Sequence, residues 1–216
     1  MADIKESRIL SFDRYTLYSN VSNSNGRKAR LVFSIREGMP RITVFTNDAS
    51  DIDPKQMISV PVDPVTLISL FDFISKAAIS KEESRTQIQC FIPVKDNDGK
   101  MIDKSMIGQI VAGKDSSGIV FISVIAEGRP KIKFEFNSGN YNVFKKADGS
   151  AMSESEASSM VALSTMKCLS HIYMIQFEKA IVDWSNRPKT EQAKGSYTPK
   201  SSSIPNEESS FTDIPY

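Results

Sequence analysis

An α+β fold of two related halves, each an antiparallel sheet with one helix and the two forming a pseudo-dimer, is predicted from three features of the sequence. First, Glu37-Gly38-Met39-Pro40-Arg41-Ile42 recurs as Glu127-Gly128-Arg129-Pro130-Lys131-Ile132. Second, each copy lies between two runs of alternating or β-branched apolar residues, which are typical of strands. Third, each half ends in a stretch whose apolar residues recur at helical spacing.

The strands are predicted from the apolar runs around the repeated segment. The runs are residues 31–35, 42–46, 119–125 and 132–136, with a further short strand before each helix at residues 57–62 and 140–146. Glycine and proline between two such runs indicate a hairpin turn, and Asn25-Gly26 and Ser117-Gly118 are further turn sequences. Each half then has about four or five strands.

Capping residues predict where both helices begin. Asp63 is a favourable N-cap with Pro64 at the first helical position, and Ser153 with Glu156 has the spacing of a capping box. The apolar residues expected to face the core are Leu67, Leu70, Phe71 and Ile74 in the first helix and Met160, Leu163, Met166, Leu169, Tyr173, Phe177 and Ile181 in the second. The second helix, which runs to about Trp184, leaves room for packing against another subunit, so a homo-oligomer is one expectation.

Composition excludes several classes of function. The 216 residues are 40% hydrophobic and 25% charged, which is typical of a globular protein. No apolar run is long enough to span a membrane, and the N-terminus has no apolar targeting segment, so a cytoplasmic location is expected.

The sequence contains few of the cysteine and histidine residues on which catalytic and metal sites often depend. Cys90 and Cys168 are too few for a disulfide framework or a zinc site, and His171 is the only histidine. Asp96-Asn97-Asp98-Gly99 lacks the remaining ligands of a calcium loop, so a hairpin turn is predicted there instead. We therefore expect no catalytic residues, no metal and no cofactor, and we predict that the protein is not an enzyme.

The composition changes after Trp184. Residues 185–216 contain four prolines and many serines, so we predict a disordered tail after a domain at residues 1–184 with repeats at about 1–82 and 86–184. Residues 201–216 carry a formal charge of −3, whereas the first 200 residues carry +4. The tail is therefore also expected to compete with nucleic acid for basic surfaces of the body.

The end of the tail combines acidic and apolar residues. We predict that Phe211, Asp213, Ile214, Pro215 and Tyr216 bind a partner protein through a basic-rimmed hydrophobic pocket. The ending Asp213-Ile214-Pro215-Tyr216 resembles the tip of bacterial single-stranded-DNA-binding proteins, which end in acidic residues followed by Ile-Pro-Phe; here Tyr216 replaces the phenylalanine and the acids are sparser. The resemblance implies recruitment of replication, recombination or repair proteins, and together with the small size it suggests a bacteriophage protein acting in the host cytoplasm.

Strand alternation predicts a basic face in each half. Residues 20–47 and residues 128–146 each carry a net charge of +4. Because lysines and arginines bind phosphates and exposed rings stack on unpaired bases, we predict a sheet surface that binds single-stranded nucleic acid. The predicted contacts are Tyr15, Tyr18, Arg27, Lys28, Arg30, Arg36, Arg41, Phe45, Arg129, Lys131, Lys133, Tyr141, Lys145 and Lys146.

The repeated pattern of strands followed by a helix resembles the duplicated units of the Whirly and Pur-alpha families of single-strand binders, although no family motif is present. An OB-like barrel with an appended long helix is the alternative architecture. The function predicted is sequence-nonspecific single-stranded DNA binding in replication, recombination or repair. The alternatives are an oligomeric protein-interaction adaptor and a transcription or recombination factor on the same fold.

Overall fold

The computed structural model describes residues 9–11, 15–23, 26–36, 39–137 and 143–185, and within these ranges it describes the side chains of residues 15–178. The elements in chain order are β1 (Ile9–Ser11), β2 (Leu17–Ser22), β3 (Lys28–Arg36), β4 (Met39–Phe45), β5 (Met57–Pro61), α1 (Pro64–Ile79), β6 (Ser84–Lys95), β7 (Met101–Lys114), β8 (Val120–Ile125), β9 (Lys133–Glu135) and α2 (Glu154–Ser185). The α+β class predicted from the sequence is confirmed.

The strands form two antiparallel sheets, one in each half. In the first sheet, β3 pairs with β4 along one edge, and β4 pairs with β5. Strands β1 and β2 lie end to end along the other edge of β3, where Ile9 pairs with Arg36 and Leu17 with Leu31. The second sheet has the order β6-β7-β8-β9. Both sheets are open over the described strands, so the alternative of a closed OB-like barrel is wrong.

The strand predicted at residues 140–146 of the second half lies partly outside the described residues, and residues 143–146 do not form a strand. The first half has β5 before its helix, but the described residues 143–153 form only a single bridge, between Lys145 and Ala151. The reason is a tight turn in which the Gly149 amide donates to the Lys146 carbonyl at 2.9 Å, with Gly149 at a φ of 83°. This turn folds the segment back on itself instead of extending it along β9.

Both predicted helix starts and the predicted hairpin turn at Asp96 are confirmed. The Asp63 carboxylate accepts a hydrogen bond from the Thr66 amide at 2.9 Å, with Pro64 in the first turn of α1. At α2 the Ser153 amide donates to the Glu156 carboxylate at 3.0 Å, which completes the capping box. The segment starting at Asp96 is a hairpin turn, in which the Gly99 amide donates to the Asp96 carbonyl at 3.0 Å.

Both sheets and both helices share one hydrophobic core. The largest fully buried side chains include Phe33 from the first sheet, Phe71 from α1 and Phe134 from the second sheet. Phe71 makes edge-to-face contacts with Phe33 at 5.7 Å and with Tyr173 of α2 at 5.8 Å between ring centroids. The apolar positions predicted for α1 are all buried, and those of α2 are buried or half-buried as far as residue 178.

Several contacts join the two halves. The Lys114 ammonium, which is buried, donates to the carbonyls of Ala78 at 3.0 Å and Ser80 at 2.7 Å, at the end of α1. The Tyr173 hydroxyl donates to the Ser34 carbonyl on β3 at 2.9 Å. Within the second sheet, in contrast, β6 and β7 approach each other very closely at Gly113, where a Cβ atom would lie 1.9 Å from the Ser84 carbonyl oxygen.

Candidate nucleic-acid interface

The face of the first sheet opposite the core carries a row of four side chains. Tyr18 on β2 pairs with Arg30 on β3, Arg30 pairs with Phe45 on β4, and Phe45 pairs with Met57 on β5. Directly paired residues of antiparallel strands point to the same side of a sheet, so these four side chains lie side by side across four strands. We call them the aromatic row.

The alternation of β3 and β4 produces this face. Leu31, Phe33 and Ile35 of β3 point into the core together with Ile42 and Val44 of β4, and all are buried. The intervening positions therefore point to the opposite, outer face. The predicted division of these two strands into an apolar and a basic side is confirmed.

Within the aromatic row, the guanidinium of Arg30 lies over the ring of Phe45. The Arg30 Cζ atom is 4.2 Å from the ring centroid, which is a cation–π contact. Arg30 remains exposed, and Tyr18 beside it is 57% exposed. The contact holds the cation in one place while its outer donors face solvent, and the neighbouring tyrosine ring is open to stacking.

Further cations line the same face along β3. Lys28 and Arg36 are exposed at its two ends, and Arg27 is exposed just before the strand, outside the alternation that defines this face. Arg41 is half-buried beside Ser34, its partner across the β3–β4 ladder. Lys28 and Arg36 are eight residues apart, or about 27 Å at ~3.4 Å per residue.

No acidic residue belongs to the cross-strand rows of this face among the described residues of β2 to β5. The second row consists of Val32, Thr43 and Ser59, and the third of Ser34, Arg41 and Pro61. The Thr43 and Ser59 hydroxyls are 2.9 Å apart and hydrogen-bonded. Val32, Ser34 and Thr43 are buried, so the exposed groups of these rows are the cations and the Tyr18 ring. Cations and an exposed ring in rows without an acid suit a polyanion with exposed bases.

The second half differs, because acids pair with three of its five predicted cations, Arg129, Lys133 and Lys146. The Lys133 ammonium lies 2.5 Å from Asp115 Oδ2 and 3.1 Å from Glu135 Oε1. Burial alone would lower the pKa of Lys133, but its hydrogen bonds to the two carboxylates outweigh burial and raise it. Lys133 therefore stays charged, but its charge is balanced within the protein.

Arg129 is engaged in the same way. Its Nε donates to Asp51 Oδ1, its NH2 group donates to Asp51 Oδ2 at 2.7 Å, and its NH1 group lies 3.3 Å from Asp53 Oδ2. Burial would raise the pKa of Asp51, but the hydrogen bonds from Arg129 and Thr46 lower it below its usual value. This geometry gives Arg129 a structural contact between the halves.

The remaining predicted contacts occupy varied positions. Lys131 and Lys145 are exposed, and the Lys146 ammonium pairs with Glu156 at 3.1 Å. Tyr15 is half-buried and packs against the core. Tyr141 and the predicted partner-binding residues Phe211, Asp213, Ile214, Pro215 and Tyr216 lie outside the described residues.

Two residues of this region were not among the predicted contacts. Met57 completes the aromatic row, and Asn20 joins the two sheets by donating to the Glu135 carboxylate and accepting from Asn137 Nδ2 at 3.1 Å. The β5 strand was predicted, so its alternation indicated that Met57 shares a face with Ser59 and Pro61. The side of the sheet depended on the register with β4, which the sequence does not display.

The described part of the chain holds no group of three or more histidine, cysteine or acidic residues that could bind a metal. Burial raises the pKa of the Cys90 thiol to about 11, which keeps it protonated. No helix in the described ranges has the length and apolar character needed to cross a membrane.

Searches of protein-family models, curated proteins and solved structures found no match to this chain.

Proposed function

We propose that this protein binds single-stranded DNA without sequence preference, as a non-enzymatic component of replication, recombination or repair. The outer face of the first sheet is the proposed binding surface. Arg30 and the exposed cations along β3 bind phosphates, and Tyr18 stacks on a base.

The single observation that carries the proposal is the aromatic row. A cation held over a ring beside an exposed tyrosine offers a phosphate ligand and a stacking platform at adjacent positions. Rings can stack only on bases that are not already stacked in a duplex, so the row favours single strands. The absence of acids from these described rows adds an electrostatic preference for a polyanion.

The C-terminal tip supports a role in recruiting partner proteins. Its resemblance to the tips of bacterial single-stranded-DNA-binding proteins suggests a client among replication or recombination enzymes. Under this proposal the protein acts in a cytoplasm, and in the host cytoplasm if a bacteriophage encodes it. An adaptor without DNA affinity is the alternative that the following measurement separates.

The proposal is tested by fluorescence anisotropy with labelled oligo-dT and a duplex of equal length, each at two salt concentrations. We expect tighter binding to oligo-dT, and an affinity that falls with salt by a log–log slope of about −0.7 for each phosphate contacted. Equal binding to duplex and single strand, or no binding to either, contradicts the proposal; the latter result favours the adaptor.

Variants of the aromatic row locate the surface. Tyr18→Ala should weaken binding about 5- to 150-fold, which corresponds to the ~1–3 kcal/mol of one base–aromatic stack. Arg30→Ala should weaken binding and reduce the salt slope by about 0.7, whereas Arg30→Lys keeps the charge and should retain the slope. Lys81→Ala, which removes an exposed lysine in the turn after α1, is the matched control and should change little.

A further inference from the structure

The hairpin of β6 and β7 extends past the rest of the second sheet. Strand β7 pairs with β8 from Gln109 to Lys114, whereas β6 and β7 continue to pair as far as Lys95 opposite Met101. Because Cys90 of β6 points into the core, the neighbouring Phe91 and the alternate positions after it point away from the core. We define the hairpin face as these residues and the exposed residues opposite them on β7: Phe91, Pro93, Lys95, Met101, Lys104 and Met106.

The hairpin face repeats a side-chain arrangement of the aromatic row. The Lys104 ammonium lies 4.6 Å from the centroid of the Phe91 ring, and Met106 lies directly opposite Phe91 on the neighbouring strand. In the aromatic row a cation likewise lies over the Phe45 ring, at 4.2 Å, and Met57 lies directly opposite that ring. Each sheet therefore places, on its outer side, a cation over a phenylalanine whose cross-strand neighbour is a methionine.

The charges of the hairpin are divided between its two sides. The hairpin face carries two lysines, whereas Asp103, the acid within the described strands β6 and β7, lies opposite the half-buried Val94 and so on the other side. The remaining acids, Asp96 and Asp98, lie in the turn beyond the paired residues, and the Asp96 carboxylate accepts hydrogen bonds from two turn amides at 2.8 and 3.0 Å. The hairpin face is therefore positively charged and complementary to phosphates.

We propose that the hairpin face is a second contact for the single-stranded DNA that the aromatic row binds. Lys95 and Lys104 bind phosphates, and the Phe91 ring, which is 38% exposed, stacks on a base. An exposed ring beside cations, on a face without an acid, offers a single strand the same chemical groups as the first site. The inference rests on the proposed function and adds a site in the second half, where three of the five predicted cations are paired with acids.

The test is fluorescence anisotropy of the full chain with a long labelled oligo-dT at two salt concentrations. Phe91→Ala should weaken binding about 5- to 150-fold, as expected for the loss of one base–aromatic stack. Lys104→Ala should weaken binding and reduce the salt slope by about 0.7. The matched controls, Val65→Ala and Lys81→Ala, remove an exposed apolar side chain and an exposed lysine elsewhere and should bind like the wild type. Hairpin variants that bind like these controls overturn the inference.

Photo-cross-linking of the wild type provides a second measurement that does not depend on the folding of any variant. After irradiation with an oligonucleotide that contains 5-iodouracil, mass spectrometry should find the nucleotide on peptides that contain Tyr18 and on peptides that contain Phe91. Cross-links at Tyr18 without any at Phe91 overturn the inference and leave the proposed function standing. A wild type that neither binds nor cross-links to the oligonucleotide overturns both, so the two failures are distinguishable.

Discussion

Replacing Arg129 with methionine should cost this protein a large share of its stability. The Asp51 side chain is fully buried and the Arg129 side chain is 11% exposed, so the pair between them is an ion pair in the interior. After the substitution, Thr46 Oγ1 at 2.6 Å is the side-chain donor to Asp51 that remains among the described contacts. The carboxylate then stays buried without a compensating cation.

The magnitude follows from that burial. Removing one partner of a buried pair typically costs about 3–5 kcal/mol. The lower end, about 3 kcal/mol, is expected here because the long contact to Asp53 involves a carboxylate that is 30% exposed. The measurement is urea unfolding of the wild type and Arg129→Met at neutral pH. Asp53→Asn is the control, and it should cost much less because it leaves both Asp51 contacts intact.

The stability contributed by the Asp51–Arg129 pair depends on pH with a definite sign. The pKa of Asp51 is lowered in the folded protein, so its contribution to stability is present above the unfolded-state value near 3.8 and is lost as the pH falls toward the folded-state pKa. Without Arg129 that pKa rises, because the hydrogen bonds and the positive charge that help to lower it are lost. The stability difference between the two proteins should therefore shrink in acid.

Two results would refute this reasoning. The first is an Arg129→Met protein within about 0.5 kcal/mol of the wild type, which is the range of ordinary surface substitutions. The second is a double variant, Asp51→Asn with Arg129→Met, that is no more stable than Arg129→Met alone, since the asparagine removes the buried charge.

Other contacts make further predictions. Lys114→Met keeps the apolar stem but removes the donor to the carbonyls at the end of α1, so the free energy of unfolding should fall by about 1–3 kcal/mol in urea titrations; an unchanged midpoint would show that water replaces the ammonium. Asp63→Ala removes the N-cap of α1 and should cost about 1 kcal/mol, with Asp63→Asn recovering most of it in thermal unfolding; equal losses in both variants would contradict the capping role. Deleting residues 207–216 should leave or raise the affinity for oligo-dT and abolish recruitment of partner proteins in pull-down experiments, and a large loss of DNA affinity would count against that division of labour.

Features set by neighbouring residues were predictable from the sequence. The Asp63 cap, the capping box of Ser153 and the turn at Asp96 each depend on residues within about one turn of backbone. Alternation along β3 likewise indicated which side chains oppose the core. These signals identified the class of fold and the sheet face that holds the proposed site.

Features set by distant residues were not predictable. From the sequence alone Arg129 is predicted to be a surface cation, because Asp51, which pairs with it, lies 78 positions earlier. Lys133 is likewise predicted to be a surface cation, and only the fold, which brings β9 near Asp115, shows that its charge is balanced. The adjacency of Tyr18, Arg30 and Phe45 depends on the register of three strands, and alternation alone does not determine register. The sequence therefore located the basic segments without revealing which charges are already balanced.

The close approach of β6 and β7 at Gly113 limits which residues position 113 of this hairpin can hold. Any side chain at this position would push against the Ser84 carbonyl and separate β6 from β7 at the base of the hairpin. In a saturation library, substitutions near the turn at Asp96 would change only the surface of the hairpin. Substitutions at residue 113 would instead disrupt the pairing of β6 with β7. The exposed part of the hairpin can thus acquire new contacts by substitution, whereas position 113 accepts only glycine.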